Sequence, residues 1–201
     1  MREFILRALK AKTSAFDVDN LAEAGRMDIV SDCISSALFI AGDVRRDTII
    51  HIILDGPNYP PKLISFTGSK LKNLDFSQKS IAEKINYALI KGSKLNLNEE
   101  LDLENGIKIF KKSFEQLIKE KSKSSQLIYL NKKGQDIRNF KFKDNITFVF
   151  GDYIGMPRKT EKLLERLNST KVNLGPKMLF ASHCIVLVNN ELDRIHSIQN
   201  L

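Results

Sequence analysis

The sequence predicts an α/β fold built on a parallel sheet, and three patterns support that prediction. Short apolar, β-branched runs alternate along the chain with segments whose apolar residues recur at helical spacing. Several of these runs end at a glycine, as at Gly151 and Gly175, where a strand would give way to a turn. At 201 residues the chain is long enough to bury a core in one domain or two small ones. Strands that alternate with helices are typical of parallel sheets.

The strands are predicted from short runs rich in Ile, Val and Phe. The clearest is 48–54, a β-branched run that ends at the turn sequence Asp55-Gly56-Pro57. The full set of predicted strands is 3–8, 48–54, 62–66, 126–130, 146–150 and 172–174.

The helices are predicted from apolar spacing and from end signals. The segment 28–41 has apolar residues at helical spacing and stops at Gly42. In the segment 80–91, Ser80 is expected to cap the helix and Glu83 to complete a capping box, with a glycine at the far end. Further helices are predicted at 105–121, 160–167 and 177–193, and a single helical turn at 20–24.

Composition and charge restrict the classes of function. The net charge of +8 and the sequence pI near 9.4 favour a polyanionic partner such as nucleic acid, although a merely basic protein fits the charge equally well. Two cysteines without CxxC spacing and three scattered histidines predict neither a disulfide framework nor a metal site. The sequence shows no signal peptide and no membrane-spanning stretch, so a cytoplasmic protein is expected.

Three predicted strands end at places where a ligand could bind. In open α/β sheets ligands bind beyond the carboxyl ends of strands, and Leu130, Gly151 and Leu174 lie at such ends. Gly151 would let a ligand approach the backbone, or would simply serve a tight turn. Asp152 is expected to cap that turn rather than to meet a cation. The G-x-G-x-x-G dinucleotide fingerprint is missing.

The last predicted helix is apolar on nearly every side between Met178 and Leu192. A helix of that kind is expected to be covered on both faces. One face would pack on the sheet and the other on a second copy of the helix, which predicts a homodimer. Cys184 within this helix is expected to be a small buried hydrophobe, because only His183 stands near enough in sequence to activate it as a nucleophile.

Two C-terminal segments, GDYIGMP at 151–157 and NLGPKMLFASHCIVLVNNELDR at 173–194, resemble the SPOUT methyltransferases. The N-terminal segments RMDIV at 26–30, RRDT at 45–48 and LDGP at 54–57 narrow the resemblance to the TrmY family of tRNA pseudouridine-54 N1-methyltransferases. The resemblance runs nearly end to end. It implies one SPOUT domain over 1–201, with an N-terminal α/β part at about 1–121 and a deep trefoil knot within 126–201. The charged, serine-rich composition of 119–125 independently predicts an internal boundary there.

The resemblance also implies a cofactor, a substrate and site residues. S-adenosylmethionine, the methyl donor, would lie against three knot loops at Leu130, at Gly151 and at 174–184. The third loop includes Leu174, Leu179 and Cys184. No metal is needed. The substrate would be tRNA, and the product N1-methylpseudouridine at position 54. Methylation of a pseudouridine in ribosomal RNA, another methylated base or atom, and an RNA-binding knot protein without catalysis stay open as alternatives.

Several charged residues are candidates for substrate contacts. Asp28 is the candidate general base or base-orienting group, because it lies beside Arg26; an N-cap role fits it about as well. Arg26, Arg45 and Arg46 are candidate RNA-phosphate contacts, because guanidinium groups match phosphate oxygens. A second basic cluster in a predicted loop at 131–143 consists of Lys132, Lys133, Arg138, Lys141 and Lys143.

Overall fold

An eight-stranded sheet organises the chain, of which the computed structural model describes residues 1–199. The strands are β1 (Arg2–Ala8), β2 (Phe39–Ile40), β3 (Asp43–Val44), β4 (Thr48–Leu54), β5 (Lys62–Thr67), β6 (Glu100–Asp102), β7 (Ile107–Phe110), β8 (Gln126–Asp136), β9 (Ile146–Gly151) and β10 (Thr170–Asn173). The helices are α1 (Met27–Leu38), α2 (Gln78–Lys91), α3 (Phe114–Ser124), α4 (Arg158–Arg166) and α5 (Ala181–Gln199). Strands β2 and β3 form a separate hairpin.

The strand order in the main sheet is β10-β8-β9-β1-β4-β5-β7-β6. The first five strands are parallel, as the sequence predicts, whereas β5, β7 and β6 pair antiparallel. Only residues 55–61 connect β4 to β5. A link this short cannot carry the crossover that a parallel pair requires, so the chain turns back as a hairpin. The prediction of a wholly parallel sheet is therefore wrong for these three strands.

Helices cover both faces of the sheet. Alternate residues of β1 point to opposite sides: Phe4 and Leu6 face the larger core with α1, α2 and α5, and Ile5 faces the smaller core with α3 and α4. Helix α5 packs against α1 within the larger core. The two helices and the strand ends beside them frame the site described below.

The predicted helix at 105–121 is wrong in its first half. Residues Ile107–Phe110 form strand β7, and the helix begins at Phe114 after a capping box between Ser113 and Gln116. Glu104, Asn105 and Gly106 all have positive φ and make the turn of the β6–β7 hairpin. The charged boundary expected at 119–125 belongs largely to the end of α3.

Other helices and strands also begin or end at residues that differ from the predicted ones. Helix α1 stops at Leu38 instead of 41, because residues 39–40 pair with 43–44 and Gly42 makes the turn with a φ of 79°. Ser77, not Ser80, caps α2 by accepting a hydrogen bond from the Ser80 amide. Strand β8 runs through most of the predicted basic loop. The turn predicted at 20–24 is found at 21–25, strand β4 has its predicted ends, and the remaining elements occur with shifted ends.

A buried polar row crosses the sheet beneath α3. His51 Nδ1 lies 2.7 Å from the Ser65 hydroxyl, and His51 Nε2 lies 2.8 Å from the Glu3 carboxylate, which also pairs with Lys121. Burial lowers the pKa of His51, so the ring is neutral near pH 7. Burial alone would raise the pKa of Glu3, but His51 and Lys121 outweigh it and lower that pKa to about 2.

This row predicts that acid destabilises the fold. A histidine whose folded pKa is depressed contributes stability that is lost as pH falls below its unfolded value of about 6.5. The Glu3 contribution is lost at lower pH, from its unfolded pKa of 4.5 down towards 2. We expect His51→Gln, which keeps both hydrogen bonds without titrating, to flatten the pH dependence of the unfolding free energy between pH 7 and 5. Parallel urea-unfolding profiles for the two proteins would contradict this.

Candidate functional site

A cavity of about 780 Å³ opens at the carboxyl end of β9, beside the point where β8 stops pairing with it at Tyr129. It lies between these strands, the first residues of α5 and the start of α1. Its lining consists of residues 29, 129–133, 150–156, 161, 171, 178–181, 183 and 184. Leu130, Gly151, Leu179 and Cys184, predicted from sequence as site residues, all lie in this lining. Leu174 does not, and packs against the larger core instead.

The first wall is a bulge in β8. Strand β10 pairs with β8 up to Lys171 and Tyr129, and the next pair is Val172 with Gln135. Residues 130–134 are thereby expelled from the ladder and form the wall. Gly134 makes this possible, because a Cβ there would lie 2.3 Å from the backbone of Lys171 and Val172.

The second wall is the loop after β9. Asp152 holds it by accepting hydrogen bonds from the amides of Ile154, at 2.9 Å, and Leu9, at 3.0 Å. Asp152 thus takes the capping role expected for it, and burial raises the pKa of its carboxyl group. A Cβ on Gly151 would lie 2.6 Å from the carbonyl carbon of Gly155. Gly151 is required here by the close return of its own loop.

The third wall is the segment that leads into α5, which starts at Ala181 and not at residue 177. Leu179 and Cys184 contribute apolar surface to it. Burial raises the pKa of the Cys184 thiol, which keeps it protonated at neutral pH. This favours the expected role as a small hydrophobe over that of a nucleophile.

Polar groups of both signs line the cavity. The Tyr129 hydroxyl donates a hydrogen bond of 2.8 Å to Glu161, and burial, followed by this bond, raises the pKa of Tyr129 to about 12. Lys132, Lys133 and Lys171 supply positive charge. Sequence patterns did not identify Tyr129 or Glu161, since Tyr129 lies within β8 and Glu161 lies in the first turn of α4, more than thirty positions away. Among residues 1–199 no group of three potential metal ligands occurs.

Arg26 and Asp28 form a pair beside the cavity, at the start of α1. Arg26 Nε lies 3.0 Å from Asp28 Oδ1, and Nη2 lies 2.9 Å from Oδ2. The Arg26 guanidinium lowers the pKa of Asp28 through this contact. Arg26 itself occupies the N-cap position, and Asp28 lies in the first turn. The N-cap interpretation of Asp28 is therefore wrong.

Arg45 and Arg46 lie just before the amino-terminal end of β4, whereas the cavity lies towards the carboxyl ends of the parallel strands. Arg45 pairs with Asp193 at 2.7 Å, and Arg46 pairs with Asp43 at 3.1 Å. Within one chain the structure does not bring them near the cavity. In the second basic cluster, Lys132 and Lys133 line the cavity, whereas Arg138 pairs with Asp136.

Helix α5 is covered on one side only within the chain. Ile185, Val188 and Leu192 are buried in the larger core. On the outer side, Val186 is 50% exposed and Leu187 is 40% exposed. This exposed outer face is the one expected to pack on a second copy of the helix, and that packing stays a prediction. None of the described helices is long and apolar enough to cross a membrane.

Comparisons with known proteins agree with this architecture. Residues 1–197 match the model of a family described as SAM-dependent RNA methyltransferases. A tRNA (pseudouridine(54)-N(1))-methyltransferase of Methanococcus aeolicus is 41% identical, over 96% of this chain and 98% of its own. One of Methanococcus maripaludis is 38% identical, over 97% and 100%. The crystal structure of Archaeoglobus fulgidus Nep1 bound to S-adenosylhomocysteine has the same fold, with a TM-score of 0.65, 13% identity and 98% coverage of both chains.

Proposed function

Because the chain belongs to the family of SAM-dependent RNA methyltransferases, we propose that it methylates N1 of pseudouridine 54 in tRNA, with S-adenosylmethionine as the donor. The observation that carries this proposal is the cavity between β8 and the carboxyl end of β9, in a chain that its curated relatives match over nearly its whole length. Ribosomal RNA as the substrate is the runner-up. An RNA-binding protein without catalysis is the third candidate.

The cavity fits a donor of this size and chemistry. Its volume of about 780 Å³ lies in the range of small-molecule sites. Leu130, Leu179 and Cys184 would contact the apolar faces of the donor, and Gly151 would leave room beside the backbone. Glu161 and Lys171 could meet its charged and hydroxyl groups. The Archaeoglobus relative, which holds S-adenosylhomocysteine, shares the fold that places these walls together.

The proposed reaction needs little more than placement of two reactants. The bound donor supplies a methyl group activated on a sulfonium. The acceptor is N1 of pseudouridine, an N–H position that uridine lacks, since its N1 is bonded to the sugar. The chemistry therefore discriminates in part between the two nucleosides. Correct placement can contribute more to the rate than proton removal, for which a general base adds about 10²–10⁴-fold.

We assign Asp28 a positioning role in this reaction. Its bidentate contact with Arg26 lowers its pKa, so the carboxylate is a weak proton acceptor near neutral pH. Asp28→Asn is expected to raise KM for tRNA about tenfold, as Arg26 loses its charged partner, while kcat changes little. Steady-state kinetics with saturating donor would show this. A loss of kcat of about 100-fold at unchanged KM would identify Asp28 as the general base instead.

We propose that the protein is a homodimer, whose subunits meet through the outer side of α5. Each subunit is proposed to be one domain over 1–201, with a deep trefoil knot in its C-terminal part, 126–201. The exposed Val186 and Leu187 support the dimer, as does Ile40, which is 45% exposed and lines one surface cavity together with Val186. A second subunit could also bring Arg45 or Arg46 towards the RNA. A monomer in sedimentation experiments would contradict the proposed homodimer. The cytoplasm, where tRNA is modified, is the proposed location.

Two measurements separate the candidate functions. Isothermal titration calorimetry with S-adenosylmethionine tests the enzyme against the non-catalytic alternative, which predicts no binding of the donor. Nucleoside analysis of tRNA and ribosomal RNA from a strain that lacks the gene tests the substrate. We expect N1-methylpseudouridine to disappear from tRNA alone; its loss from ribosomal RNA would favour the runner-up.

A further inference from the structure

We propose that the exposed ring of Tyr153, held beside the Arg26 guanidinium, is the surface on which the target nucleobase stacks at the mouth of the cavity. This inference rests on the proposed function and adds to it a residue that recognises the acceptor. The Arg26 guanidinium carbon lies 5.5 Å from the centroid of the Tyr153 ring. Arg26 and Tyr153 are far apart in the sequence and lie close together beside the cavity.

Arg26 is held in place before any substrate binds. Its backbone lies in the left-handed region, with φ 66° and ψ 45°, and it follows Gly25, whose φ is also positive at 75°. A Cβ on Gly25 would lie 1.9 Å from the Lys10 carbonyl oxygen, so only glycine fits there. Asp28 fixes the guanidinium plane through two nitrogen–oxygen contacts. A non-glycine residue kept in this backbone region often marks a functional position.

Tyr153 is also held by its neighbours but is not buried by them. The residues before and after Tyr153 are joined by a hydrogen bond, because the Asp152 carboxylate accepts from the Ile154 amide. This bond fixes the backbone around the ring. The Tyr153 residue is 49% exposed, and the Arg26 side chain is 43% exposed. Packing in a core therefore does not account for this pair. The Tyr153 side chain contributes to the lining of the cavity.

A nucleobase is the occupant that these features suit. Proteins read unpaired RNA bases by stacking them on aromatic rings and on arginine planes. A base inside a tRNA loop must be displaced from its stack to reach a donor, and a new stacking partner offsets that cost. Lys132 and Lys133 on the opposite wall add the positive charge that the adjoining phosphates require.

The chain offers a matched control for testing this surface. Tyr87 on α2 is 48% exposed, and the Lys91 ammonium lies 5.5 Å from its ring centroid. It resembles the Tyr153–Arg26 pair in exposure and in cation contact, but it does not line the cavity. We therefore compare Tyr153→Leu, Tyr153→Phe and Tyr87→Leu.

The experiment measures kcat/KM on tRNA carrying pseudouridine 54, and the affinity for S-adenosylmethionine by calorimetry. Tyr153→Leu is expected to lose about tenfold to a hundredfold in kcat/KM while keeping donor affinity within about twofold. Tyr153→Phe, which keeps the ring, should retain clearly more of kcat/KM than Tyr153→Leu, and Tyr87→Leu should stay close to wild type.

Wild-type activity in Tyr153→Leu would overturn the inference alone, and so would a loss of donor affinity that accounts for the whole defect of that variant. A Tyr87→Leu variant as impaired as Tyr153→Leu would also overturn it, since exposed tyrosines in general would then be responsible. A wild-type protein that binds tRNA but leaves pseudouridine 54 unmethylated would overturn the proposed function first and this inference with it.

Discussion

Replacing Gly151 by alanine is expected to weaken the binding of S-adenosylmethionine at least tenfold. The added Cβ would lie 2.6 Å from the Gly155 carbonyl carbon and 2.7 Å from its oxygen, so the loop 151–155 must move. Overpacking of this kind typically costs about 1–3 kcal/mol, and 1.4 kcal/mol corresponds to tenfold in affinity. Because the loop forms one wall of the cavity, the strain should appear as lost donor affinity in calorimetry.

Gly155→Ala is the control for that prediction. A Cβ on Gly155 meets open space, although its φ of 84° makes alanine strained by about 1–2 kcal/mol. The control therefore shares the loop and the size of the substitution but lacks the collision. We expect it to lower the melting temperature with a smaller effect on donor affinity. Equal donor affinity in Gly151→Ala and wild type would show that this loop does not hold the donor.

Replacing Arg7 by methionine is expected to lower the unfolding free energy by about 3 kcal/mol or more. Arg7 Nε lies 2.7 Å from Asp55, and Nη1 lies 3.0 Å from Glu115 and 2.6 Å from the Thr160 hydroxyl. The guanidinium also lies 4.8 Å from the Phe114 ring centroid. These contacts join the end of β1 to β4, α3 and α4.

The large loss of unfolding free energy follows from the burial of the Arg7–Asp55 ion pair. Arg7 and Asp55 expose only 14% and 17% of their side chains, so the variant leaves a shielded carboxylate without its partner. Glu115, at 44% exposure, should lose little. The control is Lys79→Met, which removes an ion pair with Asp19 whose side chains are 61% and 72% exposed, and we expect it to cost less than about 1 kcal/mol. Similar urea-unfolding free energies for the two variants would contradict this account.

Sequence patterns predicted the parallel half of the sheet because its strands carry β-branched runs that end at turn residues. They failed where one pattern fits two structures. Residues 107–109 alternate apolar and polar side chains, but 107 and 110 also continue the apolar spacing of the following helix. The turn at 104–106 and the pairing with β5 are what make this segment a strand. The antiparallel pairing of β4 with β5 could have been predicted, because the predicted strand ends at 54 and 62 leave a link too short for a parallel crossover.

The residues of the candidate site were also predicted only in part. Strand ends and family resemblance predicted Leu130, Gly151, Leu179 and Cys184, which the fold brings to one cavity. The contact of Tyr129 with Glu161 and that of Arg26 with Tyr153 depend on residues that are remote in sequence. A tyrosine between two glycines after an apolar strand was the one local sign of an exposed aromatic ring.

The most direct test is to incubate the protein and S-adenosylmethionine with two forms of the same tRNA, one with pseudouridine and one with uridine at position 54. Digestion to nucleosides and mass spectrometry then identify the product. The proposed function predicts one N1-methylpseudouridine per pseudouridine-containing tRNA and no methylation of the uridine form. Methylation of both forms, or of neither while the donor is bound, would contradict it.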